Sequence, residues 1–338
     1  QDDMSINERL GLQYGMRYSF FDYMGEGTAY TFDDKGNVLT STDYAQWQTI
    51  KTYGGFEPRL ALRYGLKKNS SIKASYNRSL QYLHLLSNST SSQPTDIWVP
   101  SSNNIKPQTS NQASVGYFRN FKDNTYELSV ETYYKTMKNA IDYRNGANLF
   151  FNDQAEGELV YGKGRAYGVE LLFRRQTGKL TGWVSYTWSR SLRTFDDINE
   201  GSEFPAKQDR IHDVAIVAMY TLSDRVKLAA NWIYYTGAAV TFPSGKYEIE
   251  GITIPLFSER NGYRMPQYHR LDIGVTVDAK TKNPKFESSW NFSVYNAYAR
   301  RNAYAITFRQ NEDNPEQTEA VRTTLFRIVP SITYNFKF

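Results

Sequence analysis

Apolar and polar residues alternate along the last fourteen residues of the chain, from Leu325 to Phe338. The apolar residues recur at every second position, namely Phe326, Ile328, Pro330, Ile332, Tyr334, Phe336 and Phe338, and all but one of the residues between them are polar. A repeat of two places these two sets on opposite faces of a β-strand. Such an apolar face covers either the core of a soluble sandwich or the lipid side of a barrel, and alternation alone does not choose between them.

The same alternation predicts about twelve long strands in the whole chain. They cover residues 5–23, 56–66, 71–86, 111–121, 125–144, 165–176, 180–195, 208–222, 226–240, 264–278, 286–300 and 326–338. Strands of about 11 to 20 residues are longer than the five or six residues that are usual in soluble sheets. They match the length of a tilted strand that crosses a membrane and continues beyond it.

The connections between these strands alternate in length. Tight turns such as 122–124 alternate with long segments such as 24–55, 87–110 and 241–263, and a third long loop with Asn145-Gly146 at its tip is expected to end near Gly164. Outer-membrane barrels sort their connections in this way, with short periplasmic turns and long outer loops. The pattern predicts an all-β fold, a transmembrane antiparallel β-barrel, whose last strand runs inward and leaves Phe338 at the periplasmic rim.

Charged side chains support this interpretation because they fall on the polar faces of the predicted strands. These residues are Arg59, Arg63, Glu127, Glu131, Glu170 and Arg174. An Arg or Lys on the lipid face near the middle of the bilayer would cost about 2–4 kcal/mol, whereas a water-filled or plugged lumen accepts charges.

Composition excludes several other classes of protein. Among 338 residues there are 27 Tyr, 19 Phe and 6 Trp, but no run of about 18 apolar residues that would form a transmembrane helix. The absence of Cys excludes a disulfide framework and thiol catalysis. The net charge of +5 is spread along the chain among 35 acidic residues, so no concentrated basic patch predicts nucleic-acid binding.

Four aromatic residues fall in the predicted long outer loops, where no lipid accounts for them. They are Trp47, Tyr53, Trp98 and Phe204. Such residues could contact a ligand, a plug inside the barrel or a neighbouring loop. The candidate ligand-binding residues are therefore Trp98 with its neighbour Asp96, Trp47 and Phe204, with packing between loops as the alternative for each.

A cluster of oxygen-bearing side chains in the fourth long loop is the one candidate metal site. Asp196, Asp197, Asn199 and Glu200 carry the ligand types that Ca²⁺ prefers, but they lack the twelve-residue EF-hand pattern. A solvated acidic loop explains the cluster better. We assign no metal, cofactor or catalytic residue from the sequence.

The chain contains three histidines that are candidates for a catalytic base. A hydrolase needs a Ser and a His that face the same way on adjacent strands. His84 has Ser79 and Ser87 near it in sequence, and His212 and His269 lie elsewhere. The surrounding residues do not select any of the three, and a packed or solvated histidine is the simpler interpretation.

Several stretches resemble the C-terminal barrel of TonB-dependent outer-membrane receptors. They are Gln1-Asp2 upstream of GMRY (15–18), RMPQYHRLD (264–272), FSVYNAYARRN (292–302) and the aromatic strand that ends at Phe338. The third stretch departs from the family pattern at Ala299, where an Asn is usual. The order and spacing of the four stretches carry the resemblance over nearly the whole chain.

The resemblance implies a 22-stranded barrel with a plug in its lumen. Since about twelve strands are present, residues 1–338 are expected to form the C-terminal part of the barrel, and the plug and the N-terminal strands to lie outside this chain. The implied partners are outer-membrane lipid, the protein's own plug, and the TonB complex acting through the N-terminal part. The implied location is the bacterial outer membrane.

Three hypotheses about function follow. The first is a TonB-dependent receptor that imports a scarce nutrient, namely a siderophore, haem, cobalamin, a peptide or a glycan. The second is an outer-membrane scaffold that does not transport and instead binds partner proteins or lipoproteins. The third is a self-contained twelve-strand barrel hydrolase, which a Ser–His pair in contact would favour.

Overall fold

Strands make up most of the protein. The computed structural model describes residues 2–86, 97–147, 152–249, 252–257, 259–280, 286–311, 313–314 and 317–338. The helices among these residues are two short 3₁₀ turns, Ala155–Glu158 and Asn199–Gly201. Neither is long or apolar enough to cross a membrane.

The strands are numbered in chain order. They are β1 (Asp2–Ser5), β2 (Leu10–Met24), β3 (Gly27–Phe32), β4 (Val38–Tyr44), β5 (Thr49–Lys67), β6 (Ser70–Gln81), β7 (Leu83–Leu86), β8 (Ile97–Pro100), β9 (Gln108–Phe121), β10 (Tyr126–Tyr143), β11 (Leu159–Arg175), β12 (Leu180–Phe195), β13 (Phe204–Pro205), β14 (His212–Thr221), β15 (Val226–Tyr235), β16 (Ala239–Val240), β17 (Gly245–Ile249), β18 (Ile252–Leu256), β19 (Tyr263–Arg264), β20 (Tyr268–Asp278), β21 (Glu287–Tyr295), β22 (Ala305–Gln310), β23 (Thr318–Thr323) and β24 (Val329–Lys337).

One antiparallel sheet carries the fold. Its neighbours follow the order β1-β2-β5-β6-β9-β10-β11-β12-β14-β15-β20-β21-β24, and the short β13 pairs with the outer part of β12. All of these strands except β1 and β13 are long, and they correspond in order to the twelve predicted strands, so the predicted all-β antiparallel architecture is confirmed. Within the described residues the sheet stays open between β1 and β24.

A continuous apolar belt covers one face of this sheet. In one row of the belt Tyr14 lies opposite Leu60, Leu60 opposite Tyr76, and Tyr76 opposite Ala113. Many belt residues are exposed, and Met16 and Phe20 each keep 65% of their surface accessible. Exposed apolar side chains in such a band are typical of the lipid-facing surface of a membrane barrel.

The opposite face is polar and is crossed by hydrogen bonds between strands. The Ser75 and Ser114 hydroxyls lie 2.7 Å apart across β6 and β9. Arg17 on β2 forms a salt bridge to the buried carboxylate of Glu57 on β5. The charged residues Arg17 of β2 and Glu57 of β5 therefore lie on the face away from the belt, as alternation predicts.

The predicted start of the first strand, at residue 5 of 5–23, is wrong. The chain forms β1, turns, and then starts β2 at Leu10. The cause is Asn7, whose side-chain oxygen accepts hydrogen bonds from the backbone N–H groups of Arg9 and Leu10, both at 2.9 Å. Such an Asn turn breaks a strand without interrupting the apolar alternation that predicted it.

The predicted end of the third long loop near Gly164 is also wrong. Strand β11 starts at Leu159, opposite Tyr143. Gly162 and Gly164 both lie inside this strand. A β-carbon on Gly162 would lie 2.3 Å from the carbonyl oxygen of Thr194 and would also meet the Phe195 ring, so glycine is required there by close packing.

Other boundaries differ by shorter lengths. The strand predicted at 71–86 ends at Gln81, after which β7 turns away to pair with β8. The strand predicted at 226–240 ends at Tyr235, and the last strand begins at Val329. The long connections also contain the hairpins β3–β4, β17–β18 and β22–β23, which the sequence patterns did not predict as strand pairs.

Candidate functional site

The long connections lie together at one end of the sheet, and we call their described residues the loop layer. It comprises the described residues within 25–48, 82–107, 144–158, 196–211, 236–267 and 296–328. The short connections, such as 122–125 and 222–225, lie at the other end. A ring contact of 5.0 Å between Phe242 and Phe308 shows that even the fifth and sixth connections touch.

Two buried apolar clusters hold the loop layer on the ends of the strands. One consists of Ala140, Val160, Phe195, Ile198 and Phe204, and the other of Leu86, Ile105, Ile141 and Leu159 with Val99 and Tyr143 packed against it. Ile105 and Ile198 have no exposed surface. The loops therefore have a core of their own, which fixes their conformation beyond the membrane.

Polar contacts join the first three connections. The side chains of Asn103 and Asn104 both donate to the backbone carbonyl of Tyr30, at 2.6 and 3.0 Å. Glu156 in the third connection accepts from the Ser102 hydroxyl at 3.0 Å and from the Asn104 side-chain amide. These bonds cross 52 to 74 residues of sequence and tie the three connections into one unit.

The tip of the first connection touches the third directly. Gly36 has φ of +85°, and a β-carbon there would lie 2.3 Å from the carbonyl oxygen of Gly157. Beside this contact the guanidinium of Arg144 donates to the carbonyl oxygen of Asp34 at 2.6 Å. Hydrogen bonds from Asn37 lower the pKa of Asp33, whose ionised carboxylate holds the turn at the tip.

A buried ion-pair group joins the third, fourth and fifth connections. Arg260 is 8% exposed, and its guanidinium donates to Asp142, to the Tyr143 carbonyl and to Asn145 at 2.8 to 3.0 Å. The Asn199 side-chain amide donates to the Arg260 carbonyl oxygen at 3.1 Å and accepts from the Arg260 backbone N–H at 2.8 Å. Asp142 and Tyr143 lie at the outer end of β10. Asn145, Asn199 and Arg260 lie in the third, fourth and fifth connections.

A second buried carboxylate anchors the end of the fourth connection. Asp209 is 1% exposed, forms salt bridges to Arg190 and Arg264, and accepts from the backbone N–H of Ser191 at 2.5 Å. An acidic side chain with two cations and a backbone donor is well satisfied in a buried position. Asp209 thus serves the packing of the loops.

The structure places the four predicted ligand-binding residues differently. Trp47 and Trp98 are exposed, at 75% and 65% of their surface. Phe204 is buried, at 3%, and packs against Phe195 with a ring separation of 6.1 Å, which is the packing between loops that was the alternative to ligand contact. Asp96 lies outside the described residues. The described ring contacts do not bring Trp47 and Trp98 together.

Sequence reasoning missed two apolar residues that accompany Trp98. In the β7–β8 hairpin Leu85 lies directly opposite Trp98, and Leu83 lies opposite Pro100. Leu83 and Leu85 are 53% and 44% exposed, while His84 between them is buried. The alternation of Leu83, His84 and Leu85 was visible in the sequence, but it was assigned to the end of a membrane strand.

A histidine and a serine meet inside the same hairpin. His84 Nε2 lies 3.3 Å from the Ser101 hydroxyl, and burial lowers the pKa of His84. Ser101 has no exposed surface and His84 only 3%, so a substrate has no access to either. Among the described residues, the hydrogen bonds of His84 include no carboxylate that would orient it as a catalytic base.

The acidic cluster of the fourth connection is partly used in packing. The side chain of Asn199 is engaged by Arg260, as described above, and Asn199 and Glu200 both have positive φ. In the parts of the chain that the structure describes, no group of three or more His, Cys, Asp or Glu side chains is placed to hold a metal ion.

Comparison with known proteins gives the family. The sequence profile described as TonB dependent receptor-like, beta-barrel matches residues 1–297. The chain belongs to this family of TonB-dependent receptor barrels. It is therefore an outer-membrane protein. No curated protein sequence matches the chain.

Solved structures share the fold at low sequence identity. The ferric-catecholate import receptor Fiu from Escherichia coli K12 in its closed form is 16% identical, with a TM-score of 0.56, over 98% of this chain and 43% of that one. The ferripyoverdine receptor of Pseudomonas aeruginosa is 12% identical, with a TM-score of 0.60, over 99% and 37%. The siderophore receptor PiuA from Acinetobacter baumannii is 15% identical, with a TM-score of 0.59, over 99% and 42%. The chain spans less than half the length of each.

Proposed function

We propose that the chain is the C-terminal part of a TonB-dependent import receptor, which binds a scarce nutrient at the loop layer and passes it through the barrel. In this proposal a plug and further strands complete the barrel, and TonB acts through that N-terminal part. The observation that carries the proposal is the interlocked loop layer, which presents exposed Trp47 and Trp98 to the outside. A rigid layer with exposed aromatic anchors suits ligand capture, because little ordering is needed on binding.

The substrate class is the finer part of the proposal. Structural relatives are described as receptors for ferric catecholates and ferripyoverdine, so iron chelates are the first class to test, followed by haem, cobalamin, peptides and glycans. Aromatic side chains contact planar or apolar parts of any of these ligands, and the described loop layer holds no carboxylate or histidine cluster that would bind bare metal.

A growth and uptake experiment tests transport. The gene for the full-length protein is deleted in its native host, and growth is measured with each ligand class as the sole source of the nutrient. We expect growth on one class to fail, and deletion of TonB to give the same loss on that class. Normal growth and uptake on every class, in both strains, would contradict import.

The scaffold function remains the second candidate because of the exposed apolar side chains Leu83, Leu85 and Trp98 in the β7–β8 hairpin. Exposed apolar patches outside the membrane mark surfaces that bind other proteins. In that case the deletion strain would take up every nutrient normally but would lose a surface protein or lipoprotein from the envelope. The buried positions of His84 and Ser101 give the hydrolase hypothesis no accessible site.

A further inference from the structure

A group of cations and aromatic rings lies at the short-turn end of the sheet, on the lipid-facing side. We call it the basic rim patch, and it consists of Arg119, Phe121, Lys122, Tyr126 and Arg175. The strand register brings them together, since Phe121 lies opposite Tyr126 and Tyr126 lies opposite Arg175. Three neighbouring strands, β9, β10 and β11, therefore contribute to one small area.

Each cation of the patch is held over an aromatic ring. The guanidinium carbon of Arg119 lies 4.5 Å from the centroid of Phe121. The Tyr126 ring has the Lys122 ammonium 5.8 Å away and the Arg175 guanidinium 5.6 Å away. Phe173 stacks against Tyr126 with a centroid separation of 5.7 Å. These contacts hold the cations at the surface while leaving their N–H donors directed to other partners.

The basic rim patch lies at the border of the apolar belt. Arg119 follows Val115 and Tyr117 on the same face of β9, and Arg175 follows Leu171 and Phe173 on the same face of β11. Side chains on this face point to lipid in the middle of the strands. At the strand ends they reach the level of the lipid headgroups.

The three cations have no acidic partner among the residues that the structure describes. Within the described part of the chain, none of Arg119, Lys122 and Arg175 lies within 4.0 Å of a carboxylate oxygen, whereas Lys227 at the same end of the sheet is paired with Asp278 at 3.1 Å. The Arg175 Nε donates to the carbonyl of Thr177 at 3.2 Å, which leaves its terminal N–H groups available. Three cations without a paired carboxylate at the border of the apolar belt are available to an anion at headgroup level.

We propose that the basic rim patch binds the phosphate of an anionic phospholipid in the leaflet at the short-turn end, which the orientation of the chain assigns to the periplasmic side. The acyl chains would lie along the belt residues Tyr117 and Phe173, and the phosphate would take hydrogen bonds from Arg119, Arg175 and Lys122. An anionic lipid fits better than a soluble phosphate because the same face supplies both the charge and the apolar surface. The site does not depend on whether the protein transports a nutrient.

The test uses the full-length receptor purified in detergent and native mass spectrometry with added lipids. Phosphatidylglycerol is titrated against phosphatidylcholine, which has the same phosphate but no net charge. We expect wild-type protein to bind phosphatidylglycerol more tightly. Each cation near an anionic membrane surface contributes roughly fivefold to the affinity. The double variant Arg119→Gln with Arg175→Gln should therefore weaken phosphatidylglycerol binding by about 30-fold. It should leave phosphatidylcholine binding unchanged.

Two further variants separate a lipid site from a change in folding or in total charge. The charge-preserving double variant Arg119→Lys with Arg175→Lys should keep most of the affinity. The control Arg301→Gln with Arg322→Gln removes two cations at the loop-layer end and should bind like wild type. Equal binding of the two lipids by wild type, equal loss in the control, or displacement of the lipid by millimolar inorganic phosphate would each overturn the proposal.

Discussion

Arg260 donates a hydrogen bond from Nη1 to the Oδ1 atom of Asp142, 2.8 Å away and 118 residues earlier in the chain. The same guanidinium lies 4.4 Å from the ring centroid of Tyr143 and bonds to Asn145. One side chain of the fifth connection thus satisfies groups of the third, and Asn199 of the fourth holds its backbone. The connections are therefore expected to lose order together when this arginine is removed.

Replacing Arg260 by alanine should open the loop layer. Removing one partner of a buried ion pair leaves the other unpaired and typically costs about 3–5 kcal/mol. We expect hydrogen exchange to accelerate at residues 141–145, which include the outer end of β10, and at residues 196–202, while the rest of the long strands keep their protection. The control is Arg322→Ala, an exposed arginine on β23. Unchanged exchange at 141–145 in Arg260→Ala would show that the buried pair does not hold these loops.

The contact between Gly36 and Gly157 gives a second prediction with a matched control. Gly36→Ala adds a β-carbon 2.3 Å from the Gly157 carbonyl oxygen, whereas Gly146→Ala adds one with nothing within 4 Å. The φ angles are +85° and +80°, so both variants carry a similar left-handed strain of about 1 kcal/mol. Only Gly36→Ala should detach the first connection from the third.

Limited proteolysis of the folded receptor measures that detachment. Cleavage after Lys35 by trypsin should become faster in Gly36→Ala and stay at the wild-type rate in Gly146→Ala. If both variants are cleaved at the same rate as wild type, the close approach of the two glycines does not limit the movement of the first connection.

Much of the membrane part of the fold could be predicted from the sequence. Alternation in β5 and β11 identified their lipid-facing residues, such as Leu62 and Leu171, because lipid and lumen impose opposite requirements on successive side chains. The alternation of long and short connections gave the antiparallel order. These features are local, and they repeat at a fixed period along each strand.

The loop layer could not be predicted in this way. Phe204 and Ile198 are buried by Phe195 and Val160, which lie on two membrane strands, and no period in the sequence links these positions. The same is true of Arg260 and Asp142. The burial of a residue in a long connection depends on its distant partner. Phe204, Trp47 and Trp98 therefore share one sequence context, although Phe204 is buried and the two tryptophans are exposed.

The buried His84 predicts a pH dependence of the β7–β8 hairpin. Burial lowers the pKa of His84 below its ordinary value of about 6.5. The unfolded hairpin therefore binds more protons than the folded one, and its stability rises with pH. The full stability is present above about pH 6.5, and it is lost as the pH falls from there toward the lower pKa of the folded state.

Hydrogen exchange at Leu83–Leu86 and Ile97–Pro100 checks this dependence. After correction for the intrinsic effect of pH on exchange, protection should fall between pH 7.5 and pH 5.5 in the wild type. His84→Gln keeps a hydrogen-bonding group near Ser101 but carries no charge at either pH, so its protection should stay constant. A fall of the same size in His84→Gln would assign the pH dependence to another group.

The exposed tryptophans give the last prediction, which rests on the proposed function. Once the growth experiment has identified a ligand, Trp98→Ala and Trp47→Ala are each expected to weaken its binding to the full-length receptor. Truncation of an aromatic anchor at a binding site commonly costs about 2 kcal/mol, which corresponds to roughly 30-fold in Kd. Isothermal titration calorimetry in detergent measures the change.

Trp290→Ala is the control, because Trp290 is also an exposed tryptophan, at 45%, but lies on the lipid-facing belt, 4.7 Å from the Tyr334 ring. It should leave the Kd unchanged. Leu85→Ala separates the two uses of the hairpin, since Leu85 lies opposite Trp98 in the β7–β8 pair. One outcome is that Trp98→Ala binds the nutrient like wild type, while cells that carry Trp98→Ala or Leu85→Ala both lose a surface protein from the envelope. In that case the hairpin binds a protein partner, and the ligand contacts of the receptor lie elsewhere in the loop layer.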